Sequence, residues 1–517
     1  LIFAPSSGKE QEPGTSGYNI EMPDADKENR RIIGDKAKAY EQGAMEERQE
    51  NRSRAMQQLG DLFDRGPRPD MILERLYQYH DVDFQWGNHD VVWMGAAAGS
   101  PLCILTVLKT TLAYNNVDTL ERGYGIPLRC LEHYAEEYYA QSDLTRWMPH
   151  ADPNATDVRP ANLARVARMH KAVTVLMLKL EAEVIARNPD FEMQGRDYLR
   201  QIDYDAGTVR CGGKVYPLLD CDFPTVDPTT PERLLPREED IIARLVRDFK
   251  GSEKLQKHVE FLFSQGSVYS CVNGNLLYHG AVPMDEDGQF TAVRFWDAEY
   301  SGKRWFDCCD RCARMGYFAP EGSWQRQVGQ DFLWYLWCGA VSPIYGRSAM
   351  TTFERLYIAD PATHAEIKNP YYRLINDPVN VERILAEFGL TAPNSHIVNG
   401  HVPVRAIEGE KPVKGGELIV IDGGFCSAYH QKTGIAGYTL VYNSHGMTLR
   451  THQPFESIEK AIHEDEDIES SSERIYTAPH RILIGDTDEG QRKRTEIDDL
   501  EALTEAYGNG LIREKME

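Results

Sequence analysis

Two short glycine-bounded turns hold the residues of this chain best suited to chemistry: Gly60-Asp61-Leu62-Phe63-Asp64-Arg65-Gly66 and, with Asn88 27 positions after Asp61, Gly87-Asn88-His89-Asp90. A carboxylate such as Asp61 can bridge two cations about 3.5–4 Å apart, the spacing of two-metal hydrolases. Asn88 offers an amide oxygen that ligates without adding charge. His89 follows directly and can protonate a leaving oxygen as a general acid, with Asp64 able to orient its ring. Arg65 presents a planar fork that matches phosphate, and the glycines let backbone approach the ions. Either turn alone could be an ordinary capped turn. Both together, in this order, point to metal-assisted attack on a phosphate ester.

Such a site needs further imidazoles delivered by later strands. Leu276-Leu277-Tyr278-His279-Gly280 is a short apolar run ending in His-Gly, and Ser395-His396-Ile397-Val398-Asn399-Gly400-His401-Val402 is one ending in Gly-His. Both read as buried strands with a ligand at the carboxyl end. A lone histidine after a strand is usually structural; two of them downstream of the Asp61 and Asn88 turns favour ligands.

With these residues in place the chain resembles the calcineurin-like metallophosphoesterases, and within them the class III fructose-1,6-bisphosphatases of bacteria, from about Gly60 to near Tyr507. The resemblance rests on Asp83-Phe84-Gln85-Trp86-Gly87-Asn88-His89-Asp90 with Trp93-Met94-Gly95-Ala96-Ala97-Ala98-Gly99, on Asp222-Phe223-Pro224-Thr225-Val226-Asp227-Pro228 and on Asn275-Leu276-Leu277-Tyr278-His279-Gly280. Met350-Thr351-Thr352-Phe353-Glu354-Arg355, Asn399-Gly400-His401-Val402-Pro403-Val404, Ile421-Asp422-Gly423-Gly424-Phe425 and Thr433-Gly434-Ile435-Ala436-Gly437-Tyr438-Thr439-Leu440 extend it. It implies removal of the 1-phosphate of fructose 1,6-bisphosphate, a gluconeogenic step, at a binuclear manganese site. It further implies metal ligation by Asp61, Asn88, His279 and His401, acid catalysis by His89 backed by Asp64, and phosphate contact by Arg65. The mixed donor set itself suits manganese, iron or zinc better than magnesium.

One motif of that family is missing. An Asp-x-His on the first strand supplies the other ligands of the first metal, yet no histidine precedes Gly60, and Ile33-Gly34-Asp35-Lys36-Ala37 is only a partial imitation. Arg54-Ala55-Met56-Gln57-Gln58-Leu59 also reads as too polar for a core strand. Absent sequence, an out-of-context join and a lost first metal site are the competing explanations. Intact downstream motifs favour the first.

Composition bounds the rest. The 517 residues, 41% hydrophobic and 10% aromatic, suffice for a large core. A net charge of −23 argues against a nucleic-acid partner. No apolar run approaches the roughly 18 residues of a membrane span, and Leu1-Ile2-Phe3-Ala4 is too short for a signal core. Ten irregularly spaced cysteines read as reduced cytoplasmic thiols, with half a zinc site at Cys309 and Cys312 a minor alternative.

The expected fold is α/β: a metallophosphoesterase two-sheet sandwich flanked by helices, with a helical insertion. The expected divisions are 1–59 polar, 60–100 and 267–450 as the core, 101–266 mainly helical, and 451–517 an acidic segment ending in a helix from Glu496. Within the insertion Leu120–Ala140 and Ala161–Ala186 show helical spacing, Tyr204–Leu218 a hairpin around Gly212-Gly213, and Pro236–Gln265 an amphipathic helix pair. Arg405, Lys411, Lys414 and Lys432, with Tyr429 and His430, are candidates for holding a distal phosphate, although solvated surface lysines are the commoner case. A protein or nucleotide phosphatase, or an inactive phosphatase-like binding protein, remains an alternative. The partner is a small sugar bisphosphate, with a homo-oligomer left open.

Overall fold

The turn carrying Asp61 is fed by a strand that the sequence reading rejects. Met56–Gln58 runs parallel to Val82–Gln85, pairing Met56 with Val82 and Gln58 with Phe84. Gln57 is 2% exposed, and its Nε2 reaches Asp83 Oδ2 at 3.5 Å. Three residues of ladder and an apolar Leu59 suffice where a long apolar run was expected. Gly266–Ser267 completes this small parallel sheet beside Val82–Gln85. The computed structural model describes residues 56–79, 82–150, 160–422, 432–454 and 470–512. The partial imitation at Ile33–Ala37, Tyr429, His430 and the acidic run 464–467 lie outside them.

A second sheet of five strands runs in the order Val413–Lys414, Leu418–Val420, His396–Asn399, Asn275–Tyr278, Tyr269–Val272. Its two central strands are parallel and buried at every residue. That is why both read as unbroken apolar runs rather than alternating ones. An antiparallel meander follows, Gly437–Asn443, Gly446–His452 and Ser470–Thr477.

Helices cover these sheets, so the α/β class holds. Pro160–Arg187 is one long helix, and Pro236–Gly251 with Glu253–Gln265 forms the expected pair. The hairpin is present too: Cys211 pairs with Lys214 across Gly212-Gly213, both at positive φ as a two-residue turn requires. The expected helix Leu120–Ala140 is broken. Thr119–Gly123 forms a single wide turn, the chain opens through Gly125 and Pro127, and a helix restarts only at Arg129–Tyr139. The last helix, Asp488–Gly508, begins earlier than Glu496, because Thr487 caps it by accepting a hydrogen bond from the Gly490 amide. Among the described residues no helix is long and apolar enough to cross a membrane.

The helix Trp324–Cys338 packs on Gly302–Phe318 through facing glycines, Gly316 and Gly329, where a Cβ on either would strike the other's backbone. This close crossing sets the carboxyl end of Trp324–Cys338 against Asn88.

Candidate metal centre

All the expected ligands follow carboxyl ends of strands. Asp61 follows Met56–Gln58, Asn88 and His89 follow Val82–Gln85, His279 follows Asn275–Tyr278, and His401 follows His396–Asn399. Within each sheet the relevant pair is parallel, so the ends open on the same side, as ligand sites of α/β sheets do. Phe63 anchors the first turn by stacking on Trp93 with ring centroids 4.6 Å apart.

The structure brings Asp61, His279 and His401 together. His279 Nε2 lies 3.1 Å from Asp61 Oδ2 and 3.1 Å from His401 Nδ1, and His401 Nδ1 lies 4.0 Å from Asp61 Oδ2. The Leu59 carbonyl takes the other side of the His279 ring, 2.6 Å from Nδ1. A second cluster shares Asp61. The His89 amide donates to Asp61 Oδ1 at 3.1 Å, and His89 Nε2 lies 3.2 Å from Asp64 Oδ1. In each trio the potential ligand atoms lie within 4.8 Å of one another. Arg65 is held at the rim, Nε 3.3 Å from Asp64 Oδ1 and its guanidinium 5.4 Å from the Tyr114 ring centroid.

Close approach is enforced by glycine. A Cβ on Gly87 would collide with the Asp61 carboxylate, and one on Gly60 would lie 2.7 Å from His279 Nδ1. Asp61 and His401 both adopt left-handed backbone, φ 58° and 67°. Such strain typically costs about 1–3 kcal/mol per residue and is characteristic of functional sites.

The residues fit a divalent transition metal. Asn88 Oδ1 is buried without a hydrogen-bond partner among the described residues, a costly arrangement that a cation would relieve. Burial opposes charge on Asp61 and His279, but each favours the other's ionised form. Asp61 is held well below the usual carboxylate range and His279 is pushed up to about 9. His401, buried and beside His279, is held neutral, the form that ligates.

Two supporting groups escaped the sequence reading. Asp90 Oδ2 accepts from the amides of Asp61 at 2.7 Å and Gly87 at 2.9 Å, and Oδ1 from Phe63 at 3.3 Å. The signal was available: Asp90 is the third residue of helix Asn88–Ala97, where a carboxylate commonly reaches back to the cap. The Trp337 carbonyl accepts from Asn88 Nδ2 at 3.3 Å and fixes which way the amide oxygen faces. Nothing local in sequence announces it.

The distal candidates fare differently. Arg405 pairs with Glu408 at 3.2 Å and Lys414 with Glu410 at 2.8 Å, while Lys411 and Lys432 are exposed. Cys309 and Cys312 are buried on one helix, and neither belongs to a metal-ligand cluster among the described residues.

Carboxylate, amide and imidazole donors gathered at parallel strand ends of an α/β frame form the architecture of a metal-dependent hydrolase. The chain belongs to the Firmicute fructose-1,6-bisphosphatase family, whose model matches residues 54–509. It is 46% identical over 460 residues to a class 3 fructose-1,6-bisphosphatase of Alkaliphilus metalliredigens, covering 88% of this chain and 69% of that protein. It is also 46% identical over 463 residues to a protein of the same name from Clostridium botulinum strain Okra, covering 89% of this chain and 69% of the relative. No solved structure matches the chain.

Proposed function

We propose that this chain hydrolyses fructose 1,6-bisphosphate, releasing the 1-phosphate to leave fructose 6-phosphate, with manganese as its metal and the cytoplasm as its compartment. The observation that carries this reading is the 46% identity to class 3 fructose-1,6-bisphosphatases across 88% of the chain. Nine described cysteines, all free thiols, fit a reducing compartment.

Asp61, Asn88, His279 and His401 would hold the metal, with Asp61 shared between the two clusters. When bound, the metal supplies an activated water and neutralises phosphoryl charge. The chain's own residues do the rest. Asp64 Oδ1 takes the Nε2 side of His89, which leaves Nδ1 to pass a proton to the departing sugar oxygen. Arg65, fixed by Asp64 and Tyr114, offers its fork to the phosphoryl oxygens. Asp90 and the Trp337 carbonyl hold Asp61 and Asn88 in place. Helices 101–266 form an inserted layer outside this core.

The test is phosphate release, with added manganese, from fructose 1,6-bisphosphate against a nucleoside monophosphate and a phosphopeptide. Preference for the sugar bisphosphate by at least about 100-fold in kcat/KM is expected of a site that contacts both phosphates. Equal or better turnover of the other two would overturn the reading.

A further inference from the structure

Arg347 and Lys368 oppose each other across an isolated antiparallel bridge. The bridge is flanked by hydrogen bonds from the Ser348 amide to the Ile367 carbonyl at 2.8 Å and from the Asn369 amide to the Gly346 carbonyl at 3.0 Å. Directly opposed residues share a face, and like charges placed so destabilise the pairing. The fold therefore keeps two cations side by side at a cost that an anion between them would remove.

Only one of the two is neutralised. Arg347 Nη1 lies 3.2 Å from Glu366 Oε2, and Glu366 is itself fixed by the Thr351 amide at 3.1 Å. Lys368 has no carboxylate partner among the described residues; its Nζ lies 5.5 Å from the Tyr372 ring centroid. The Tyr372 hydroxyl is buried without a hydrogen-bond partner, packed against Gly346 where a Cβ would come within 2.8 Å of it. Beyond Arg347, the Glu410 carboxylate favours the charge on Lys368 from a distance while Arg405 and Lys414 oppose it; Arg405 and Lys414 are themselves paired with Glu408 and Glu410.

This cluster borders the metal centre. Tyr345, two residues before Arg347, has its ring centroid 6.0 Å from that of His401. The hydroxyl of Tyr371, adjacent to Tyr372, accepts from Asn399 Nδ2 at 2.9 Å and shares a hydrogen bond with the Tyr278 hydroxyl at 2.7 Å, on the two strands that lead to His401 and His279. A ligand with one phosphate at the metals can thus present a second anionic group here.

We propose that Arg347 and Lys368, with the Tyr372 hydroxyl, form the subsite for the distal phosphate of the sugar bisphosphate, an inference that rests on the function proposed above. Arg347 supplies a fork pre-set by Glu366, Lys368 a mobile point charge and Tyr372 a neutral donor. Arg405 and Lys414, two of the residues that the sequence singles out for this role, pair with Glu408 and Glu410.

The experiment compares wild type with Lys368→Met, Lys368→Arg and Arg347→Met. It measures kcat/KM for fructose 1,6-bisphosphate and fructose 1-phosphate with manganese, and calorimetric binding of fructose 6-phosphate. For Lys368→Met, kcat/KM for the bisphosphate should fall about 10-fold or more beyond any fall for fructose 1-phosphate, chiefly through KM. Fructose 6-phosphate binding should weaken to a similar degree, and Lys368→Arg should recover most of both. Equal losses on the two sugar phosphates, or unaltered bisphosphate kinetics in both methionine variants, would overturn the subsite. If wild type releases no phosphate from the bisphosphate, the functional reading fails on its own. Fructose 6-phosphate binding then decides the subsite: weakening in the variants supports it, whereas no binding, or binding the variants leave unaltered, overturns it.

Discussion

Asp90 grips the backbone of Asp61, its Oδ2 2.7 Å from the Asp61 amide, while the same oxygen caps helix Asn88–Ala97 through Gly87. One carboxylate thus ties the two motif turns together and sets where the Asp61 side chain stands. Burial, and after it the Asp61 charge, pushes Asp90 up to about 6 against the opposing Gly87 hydrogen bond.

Asp90→Asn keeps the shape but removes one of two acceptor oxygens. The expected outcome is a loss of metal affinity of about 10–100-fold, the usual effect of removing a group that orients ligands. Stability should fall by about 1–3 kcal/mol, as for a buried hydrogen bond to charge. Metal titration and denaturant unfolding of the same variant check both; unaltered metal affinity would show that Asp90 only caps the helix.

His89 lies at the mouth of the centre with its side chain 19% exposed, whereas the His279 side chain is 1% exposed. The two imidazoles therefore separate by role. His89→Ala should lower kcat by about 10²–10⁴-fold with bound metal retained, while His279→Ala should lose metal. Bound metal counted alongside turnover discriminates them, and full turnover in His89→Ala would end its assignment as the acid.

The path from sequence to site was short where local chemistry announced itself. Asp61, Asn88, His279 and His401 were legible because two glycine-bounded turns and two apolar runs ending in histidine each carry their own signal. Met56–Gln58 was not, since Gln57 is polar yet buried and meets Asp83 only in the fold. The Trp337 carbonyl depends on a glycine-on-glycine helix crossing that brings residues 88 and 337 together. Arg347 and Lys368 meet through an irregular bridge spanning 21 positions with no periodic pattern to mark it. The Leu120–Ala140 break came from Gly123, Gly125 and Pro127 overriding an apolar spacing that continued through them.

Away from the site, Lys179 and Glu238 form an ion pair at 2.7 Å with both side chains fully buried. Lys179 also donates to the Thr225 carbonyl at 2.7 Å, and Tyr134 donates to Glu238 at 2.8 Å. Lys179→Met strands the carboxylate and should destabilise the fold by about 3–5 kcal/mol. Lys179→Met combined with Glu238→Leu should recover part of that loss. Denaturant unfolding of single and double variants measures it; a single variant within about 0.5 kcal/mol of wild type would contradict the pair's role.

His170 supplies an acid-side stability dependence. Burial, and then the Lys109 charge, lower it from 6.5 to about 3, against the Trp147 carbonyl 3.2 Å from Nδ1. The unfolded chain binds a proton that the folded chain refuses, so the contribution is complete above pH 6.5 and is lost as pH falls toward about 3. His170→Gln should flatten the acid limb of stability against pH by up to about 1.4 kcal/mol per pH unit. Unfolding midpoints of both proteins at several acidic pH values check the slope, and parallel limbs would refute it.

The most direct test of the shared role of Asp61 is bound manganese and phosphate release from fructose 1,6-bisphosphate, measured on the same samples of wild type and Asp61→Asn. Asp61 stands with His279 and His401 and also beside the His89–Asp64 pair, so the wild type should bind metal and release phosphate, and Asp61→Asn should lose both together. Full metal content and turnover in Asp61→Asn would contradict the account.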